Sequence, residues 1–452
     1  MKQWIALGLL YMASSAYANI NDELTIPILP IVGQPLVASP PLLNKQNLNL
    51  NQAVFLAVQR HPSIAQSTAQ ISAQTANIKV AKASYFPSLN GSIQIGDLTS
   101  SQRGRQIYTL KASQMLYDFG KTHTNVDIQQ AKTYLEQANA LTAIDEVAER
   151  TSRTILAIEY YKKLVDIAEQ QLKGMQHLYN IAELRANAGI SSRADPVQAQ
   201  SYVDYAKSYL ITQQSYLRQN QQRLSVLLGF DVTHTTFTIP DGLINTSGFY
   251  DDITLDQIPP LVAANAEIAV ANAQKLEAQK NRYPTVSLTG TFNQAANGRN
   301  PDTLENNGHD TSIYLTVNGN LYQGGAVKAQ IQAANYSEQA AQEKLSATYL
   351  DLVENLKAAH EVIDHTQQQI WVLIEKQKVT AKTRELYEDQ YKLGQRTILD
   401  LLSAEQAYHS ARSEKEQALY TIYDTLAQYI DQTGKTRTVY QLNNKNIQGI
   451  QL

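Results

Sequence analysis

The chain has 452 residues, 38 basic against 41 acidic side chains, a formal net charge of −3 and no cysteine. That excludes a disulfide scaffold, Cys-based zinc sites, Cys nucleophiles and a lipid-modified N-terminal Cys, and it gives no field suited to nucleic acid. Tyrosine is unusually abundant, 26 against 7 Phe and 2 Trp, a residue suited to surfaces that are partly apolar and partly wet.

In chain order, residues 1–18 read as a signal peptide. Lys2 opens it, Trp4 to Ala13 is apolar, and Ala16-Tyr17-Ala18 is a small-x-small cleavage site. Residues 19–47 form a Pro-rich extended segment, with five of the 13 prolines between Pro27 and Pro41. From residue 48 the chain is one unit written twice. Pro62 to Pro87 and Pro259 to Pro284 have the same spacing, and an offset of 205 maps Gly120 onto Gly325, Gly189 onto Gly394 and Asp195 onto Asp400. The expected units are 48–228 and 259–431, joined by a mid-height segment, 229–258, and followed by a tail, 432–452.

Each unit reads helix, two strands, long helix, tight turn, helix. Helical patterns run over 50–84, 196–228, 259–281 and 397–430. Strand evidence is period-two alternation: Val286, Leu288 and Phe292, then Ile313, Leu315, Val317 and Leu321, face away from Thr, Ser and Asn. Leu89, Ile93 and Ile95 alternate likewise with Asn90, Ser92 and Gln94. A half-buried soluble sheet shares this pattern. Strands of about 10 residues, a polar inner face and terminal aromatics point instead to a membrane barrel. Tyr85, Phe86, Tyr117, Phe119, Tyr283 and Tyr322 would form its interfacial girdle.

Residues 121–188 and 326–393 contain no Pro and almost no Gly, so each makes a helix roughly 100 Å long at 1.5 Å per residue. Ile144, Thr151, Ile158, Val165, Leu172 and Tyr179 form one heptad position. Val147, Thr154, Tyr161, Ala168, Met175 and Ala182 form its partner, a coiled-coil seam. Two shorter helices should stack end to end beside each long one. Four strands cannot close a barrel, because about eight are needed. The chain must oligomerise: a dimer would have a plugged interior, a trimer an open lumen.

Three stretches carry a resemblance to the TolC family of outer-membrane efflux and secretion channels, extending over about Leu48 to Asp431. Tyr391-Lys-Leu-Gly-Gln-Arg-Thr-Ile-Leu-Asp-Leu-Leu-Ser-Ala-Glu405 looks like the second periplasmic hairpin tip. Ala188-Gly189-Ile190-Ser191-Ser192-Arg193-Ala194-Asp195-Pro196 resembles the first, and Leu116-Tyr117-Asp118-Phe119-Gly120-Lys121 is similar to the strand-to-helix junction. The resemblance implies an α+β membrane protein: a trimeric 12-stranded transmembrane β-barrel, four strands per chain, continuous with an α-helical coiled-coil barrel in the periplasm. It implies a homotrimer in outer-membrane lipid, docked to a periplasmic adaptor and an inner-membrane ABC transporter, or alternatively a proton-driven efflux pump. The Gln-Arg-Thr-x-Leu-Asp-Leu-Leu form looks most like the type I secretion branch, including exporters of large adhesins. Multidrug efflux is the alternative, and a periplasmic coiled-coil adaptor or scaffold a distant one.

By the same resemblance, Asp195, Tyr391 and Arg396 form a latch closing the periplasmic mouth, and Asp400 a cation-attracting ring. Ala188, Gly189, Leu393, Gly394 and Thr397 would receive the adaptor. The chain departs from the family pattern at Ser403, Ala194 and Pro196, which implies a weaker ring and fewer latch bonds. Asp195 also reads as a simple helix N-cap ahead of Pro196. Nucleotide, hydrolase and zinc-protease motifs are absent; His360, Glu361 and His365 are spaced wrongly for a zinc site. No enzyme, cofactor or metal site is expected.

Overall fold

The computed structural model describes residues 46–96, 105–240, 242–251, 253 and 255–452. The signal peptide, nearly all of the Pro-rich segment and most of the 97–106 loop lie outside the described residues. In chain order the elements are β1 (Asn47–Asn49), α1 (Leu50–Arg60), α2 (Pro62–Ala83), β2 (Ser88–Gly96), β3 (Arg105–Tyr117), α3 (Lys121–Asn187) and α4 (Ala194–Leu228). There follow β4 (Thr236–Thr238), α5 (Leu243–Thr246), a 3₁₀ turn (Leu255–Gln257) and α6 (Pro259–Lys280). The remainder is β5 (Thr285–Ala296), β6 (His309–Asn318), α7 (Ala326–Lys392), α8 (Ile398–Gln432), α9 (Thr436–Val439), β7 (Asn446–Ile447) and β8 (Ile450–Gln451).

The helix expected over 50–84 is broken. His61 is held extended (φ −67°, ψ 128°), since Pro62 Cδ crowds the preceding backbone; its side chain caps α2 by accepting from Ser63 N. Two other expectations need correction. Asp195 is not an N-cap: α4 starts at Ala194, so Asp195 sits inside the first turn. Leu321 and Tyr322 fall beyond β6, which stops at Asn318.

The long helices each span 67 residues, about 100 Å. Their surroundings differ. α3 packs against α2, α4, α6 and α8, and none of the twelve seam residues is exposed. α7 packs chiefly on α6 and α8, burying Leu352, Leu356, Ala359, Ile363 and Leu373. Its opposite side carries Val372, Val379, Leu386 and Leu393, all exposed at strict heptad spacing.

Mid-height, the segment 229–258 and the C-terminal tail gather round α1 and α8. β1 and β4 pair in parallel, Tyr429 OH donates to Phe249 O (3.3 Å), and Gln448 Nε2 donates to Val58 O and His61 O (2.8 and 3.0 Å). Leu48, Ile144, Phe249, Tyr429 and Tyr440, each no more than 1 % exposed, form the centre of the largest apolar core.

Candidate functional site

Two regions can do the work of a conduit: the sheet at one end and the hairpin tips at the other. The sheet is antiparallel in the order β2-β3-β5-β6, so β3–β5 joins the two halves of the chain and β2 and β6 are edges. The register decides which side chains share a face. Ile93 lies opposite Tyr108, Leu110 opposite Phe292, Leu288 opposite Leu315 and Gly290 opposite Ile313. One face is therefore Leu89, Ile93, Ile95, Leu110, Ile313, Leu315 and Val317, all exposed. The other carries Asn90, Ser92, Thr109, Asn293, Thr291 and Thr316, with Thr109 Oγ1 donating to Asn293 Oδ1 (2.8 Å) across the β3–β5 seam. An apolar outer face and a hydrogen-bonding inner face suit lipid on one side and water on the other.

At the helix end of the sheet, Tyr117 meets Phe119 edge-on (4.7 Å between centroids) and Phe119 stacks on Tyr283 (5.1 Å). Tyr85 and Phe86 are exposed beside them, and Tyr322 is the most exposed of the six. At the far end, Tyr108 and Phe292 are exposed on the apolar face, where the alternation put Phe292, though neither was counted among the interface aromatics. Their alternation with polar neighbours was the available signal. Asp118 fixes the junction: its carboxylate accepts from Gly120 N (2.9 Å) and Thr122 N (2.7 Å). Burial opposes its ionisation, but these bonds and Lys121 hold the carboxyl below its ordinary range.

Both tips end with glycine in the left-handed region, φ 72° at Gly189 and 76° at Gly394. In each, the next residue's N–H reaches back five residues, Ile190 to Arg185 O and Gln395 to Gln390 O (2.9 Å each), a Schellman closure that only glycine enters without strain. Thr397 then caps α8, accepting from Asp400 N while Asp400 accepts from Thr397 N and Oγ1. Those bonds from Thr397, with Arg396 nearby, hold the Asp400 carboxyl below its usual range. Ala188, Gly189, Leu393, Gly394 and Thr397 are exposed, and so are Ile190 and Val197 beside them.

The expected latch is not assembled within one chain. Arg396 stays on its own hairpin: Nε donates to Gln390 Oε1 (3.0 Å), the guanidinium lies 4.3 Å over the Tyr387 ring, and Asp400 is 3.9 Å away. Among the described residues, no ion pair joins Asp195 to Arg396. Tyr391, 3 % exposed, is instead clamped between the hairpins. Arg185 of α3 donates to Tyr391 O (3.1 Å) and lies 4.7 Å over its ring. Burial raises the Tyr391 phenol, and the Asp195 charge adds to it.

Sequence reading also missed the cluster that locks α3 to α7 and α8. Glu405 Oε1 lies 3.0 Å from His409 Nε2 and Oε2 lies 3.6 Å from Arg384, with Glu405 and His409 both buried. Gln171 Nε2 donates to Gln406 Oε1 (2.7 Å) in the next layer.

A sheet with an apolar face and, among the described residues, two unpaired edges, feeding 100 Å helices that end in tight-turn tips, fits an outer-membrane channel with a periplasmic tunnel. The model of the family described as "Outer membrane efflux protein" matches residues 54–230 and 252–434, and the chain belongs to that TolC-type family. Nodulation protein T of Rhizobium leguminosarum bv. trifolii is 22 % identical over 388 residues, covering 82 % of each chain. The probable efflux pump outer membrane protein TtgC of Pseudomonas putida is 25 % identical over 423 residues, covering 85 % of this chain and 84 % of its own. The solved structure of the outer membrane protein VceC from Vibrio cholerae has the same fold, with a TM-score of 0.72 at 18 % identity over 85 % of this chain and 96 % of that one. The protein is an outer-membrane channel component, not an enzyme, and channels of this family work with periplasmic adaptors and inner-membrane pumps.

Proposed function

We propose that three copies of the chain close a twelve-stranded barrel and a helical tunnel, forming the exit duct of a type I secretion system for polypeptide. The observation that carries closure is the pair of unpaired edges, β2 and β6, on a sheet too narrow to close alone. The exposed heptad of α7, Val372, Val379 and Leu386, supports it, since a neighbouring subunit would bury that stripe. The units 48–228 and 259–431 would then alternate round the wall, meeting at the 229–258 belt and the 432–452 tail. Tyr85, Phe86, Tyr117, Phe119, Tyr283 and Tyr322 would lie at the membrane interface.

Partner and cargo follow from the tips. The exposed patch of Ala188, Gly189, Leu393, Gly394 and Thr397 fits an adaptor's tip, and Asp195, Tyr391 and Arg396 would engage across subunit boundaries as the latch. Three Asp400 carboxylates would ring the mouth. The Gln395 to Leu402 stretch favours an ABC transporter partner and polypeptide cargo. Small-molecule efflux is the second reading, favoured by the Pseudomonas putida relative being named for an efflux pump. Quantitative mass spectrometry of the culture supernatant and shed surface fraction from a deletion strain separates the two. Loss of one or a few large proteins supports secretion; an unchanged secreted set with raised drug susceptibility supports efflux and refutes it.

A further inference from the structure

At mid-height, α3, α6, α7 and α8 leave a cleft of about 180 Å³ that has no part in the conduit described above. Its floor is Asp145 of α3, whose side chain is 3 % exposed. Neither carboxylate oxygen has a hydrogen-bond partner. Arg437 of α9 is the nearest cation, but its Nε stands 3.9 Å from Oδ1 and is itself without a hydrogen bond. The ion pair therefore leaves the carboxylate's lone pairs open. Asp431 lines the cleft from α8, with the charges of Glu149 and Glu146 acting on it, and Asp351, exposed, lines it from α7, so three carboxyl groups border the cleft. The opposing wall, Pro260 and Leu261 at the start of α6, is apolar.

A buried carboxylate with unfilled acceptor sites is costly; a proton relieves it at lower pH, and once the group ionises a donor-rich cation does so. The apolar wall selects among cations: it offers a metal ion no ligand, and among the described residues no group of three acidic or imidazole side chains is placed to hold a metal. An ammonium group has three N–H donors, and an alkyl chain behind it would cover Pro260 and Leu261. We propose that this cleft binds a small primary alkylammonium ion, its head on Asp145 and Asp431 and its chain against the α6 wall. Asp351, at the exposed rim, draws the cation in. The volume admits several waters or one such molecule.

Titrating n-propylammonium chloride into the full-length, detergent-purified protein tests this, read by calorimetry and by the thermal midpoint of the helical circular dichroism. Sodium chloride and tetramethylammonium chloride at equal ionic strength are the controls. At pH 9 the Asp145 carboxyl, pushed by burial up to about 8, is mostly ionised, while propylamine is still protonated. Saturable binding and a raised midpoint are expected with propylammonium and with neither control. Asp145→Asn should abolish both, and Asp351→Asn should weaken binding by no more than about fivefold, as befits a rim charge. No saturable heat up to about 100 mM propylammonium overturns the proposal and leaves water as the occupant. Equal binding by wild type and Asp145→Asn also overturns it. Should Asp145→Asn fail to fold, Asp431→Asn serves: unchanged affinity there refutes the site.

Discussion

Gly174 of α3 leaves room for the Glu405 side chain of α8, and replacing it sets two effects of opposite sign against each other. In the interior of a 67-residue helix, Gly→Ala ordinarily stabilises by about 1 kcal/mol. Here an added Cβ would lie 2.1 Å from Glu405 Oε1 and 2.9 Å from its Cδ. Glu405 cannot swing aside freely, because it is 6 % exposed and held by His409 and Arg384. Breaking a buried pair so that one member is stranded costs about 3–5 kcal/mol. Even if relaxation recovers half of that, Gly174→Ala should destabilise by roughly 1 kcal/mol net. The assay is urea unfolding followed by circular dichroism at 222 nm, at one fixed protein concentration because assembly shifts the midpoint. In the Glu405→Ala background the obstacle is gone, and the same change should stabilise by about 0.5–1 kcal/mol. That reversal of sign is the signature. If Gly174→Ala stabilises the otherwise unchanged protein, Glu405 yields freely and the cluster does not lock the hairpins.

Four further outcomes are expected. Burial pushes Asp145 up to about 8 and, with help from Glu149 and Glu146, Asp431 up to about 7; Arg437 opposes the shift at Asp145. Both folded values lie above the unfolded one, so the folded state holds extra protons, and stability present in acid is lost as pH rises towards 8. The slope is at most about 1.4 kcal/mol per pH unit for each group; urea midpoints at pH 5, 7 and 9 should fall in that order, less steeply in Asp145→Asn, and a rise would refute the assignment. At the mouth, Arg396→Ala or Asp195→Ala should raise single-channel conductance in a planar bilayer, and unchanged current in both sinks the latch. Asp400→Asn keeps an acceptor for the Thr397 cap but loses the charge, so polyvalent-cation block should weaken with helix content intact. In the sheet, Leu315→Arg places a charge on the apolar face at a cost of about 2–4 kcal/mol, while Thr316→Arg, on the other face, should be tolerated. Outer-membrane yield reads the difference, and equal yields would refute the assignment of faces.

What the sequence disclosed follows from how far apart the cooperating residues lie. The long helices were legible because Gly120, Gly189, Gly325 and Gly394 mark their ends and no proline interrupts them. The sheet faces were legible because alternation is a local pattern, and the register brings those alternating sets into line. The break at His61 was legible too, in Pro62, yet the helical pattern on both sides masked it. Asp195 was misread because an N-cap depends on backbone angles, and the Asp-Pro dipeptide fits either the cap or the first turn. The contacts that hold the hairpins together could not be read at all. Gly174 against Glu405 and Arg185 against Tyr391 join residues more than two hundred apart, and nothing local announces the pairing. Asp145 did leave a trace, an acid lying between two positions of the seam, Ile144 and Val147.

Two helices of equal length and matching register have therefore come to play unequal parts. α3 is surrounded by five other helices, α1, α2, α4, α6 and α8, so its apolar and small residues are consumed within the chain. α7 keeps a seam for α6 and α8 and leaves a second heptad, Val372, Val379 and Leu386, facing outward. A heptad stripe left in water over three turns of the repeat is unfavourable for an isolated chain and favourable for one that meets a partner along its length. The edges of the sheet make the same demand at the other end, as unpaired backbone along β2 and β6. Both features ask for a lateral neighbour, one through apolar side chains and one through backbone hydrogen bonds. A single rotation that satisfies the edges and covers α7 closes the wall at both levels, which is why barrel and tunnel should form in one assembly step and be lost together when either seam is broken.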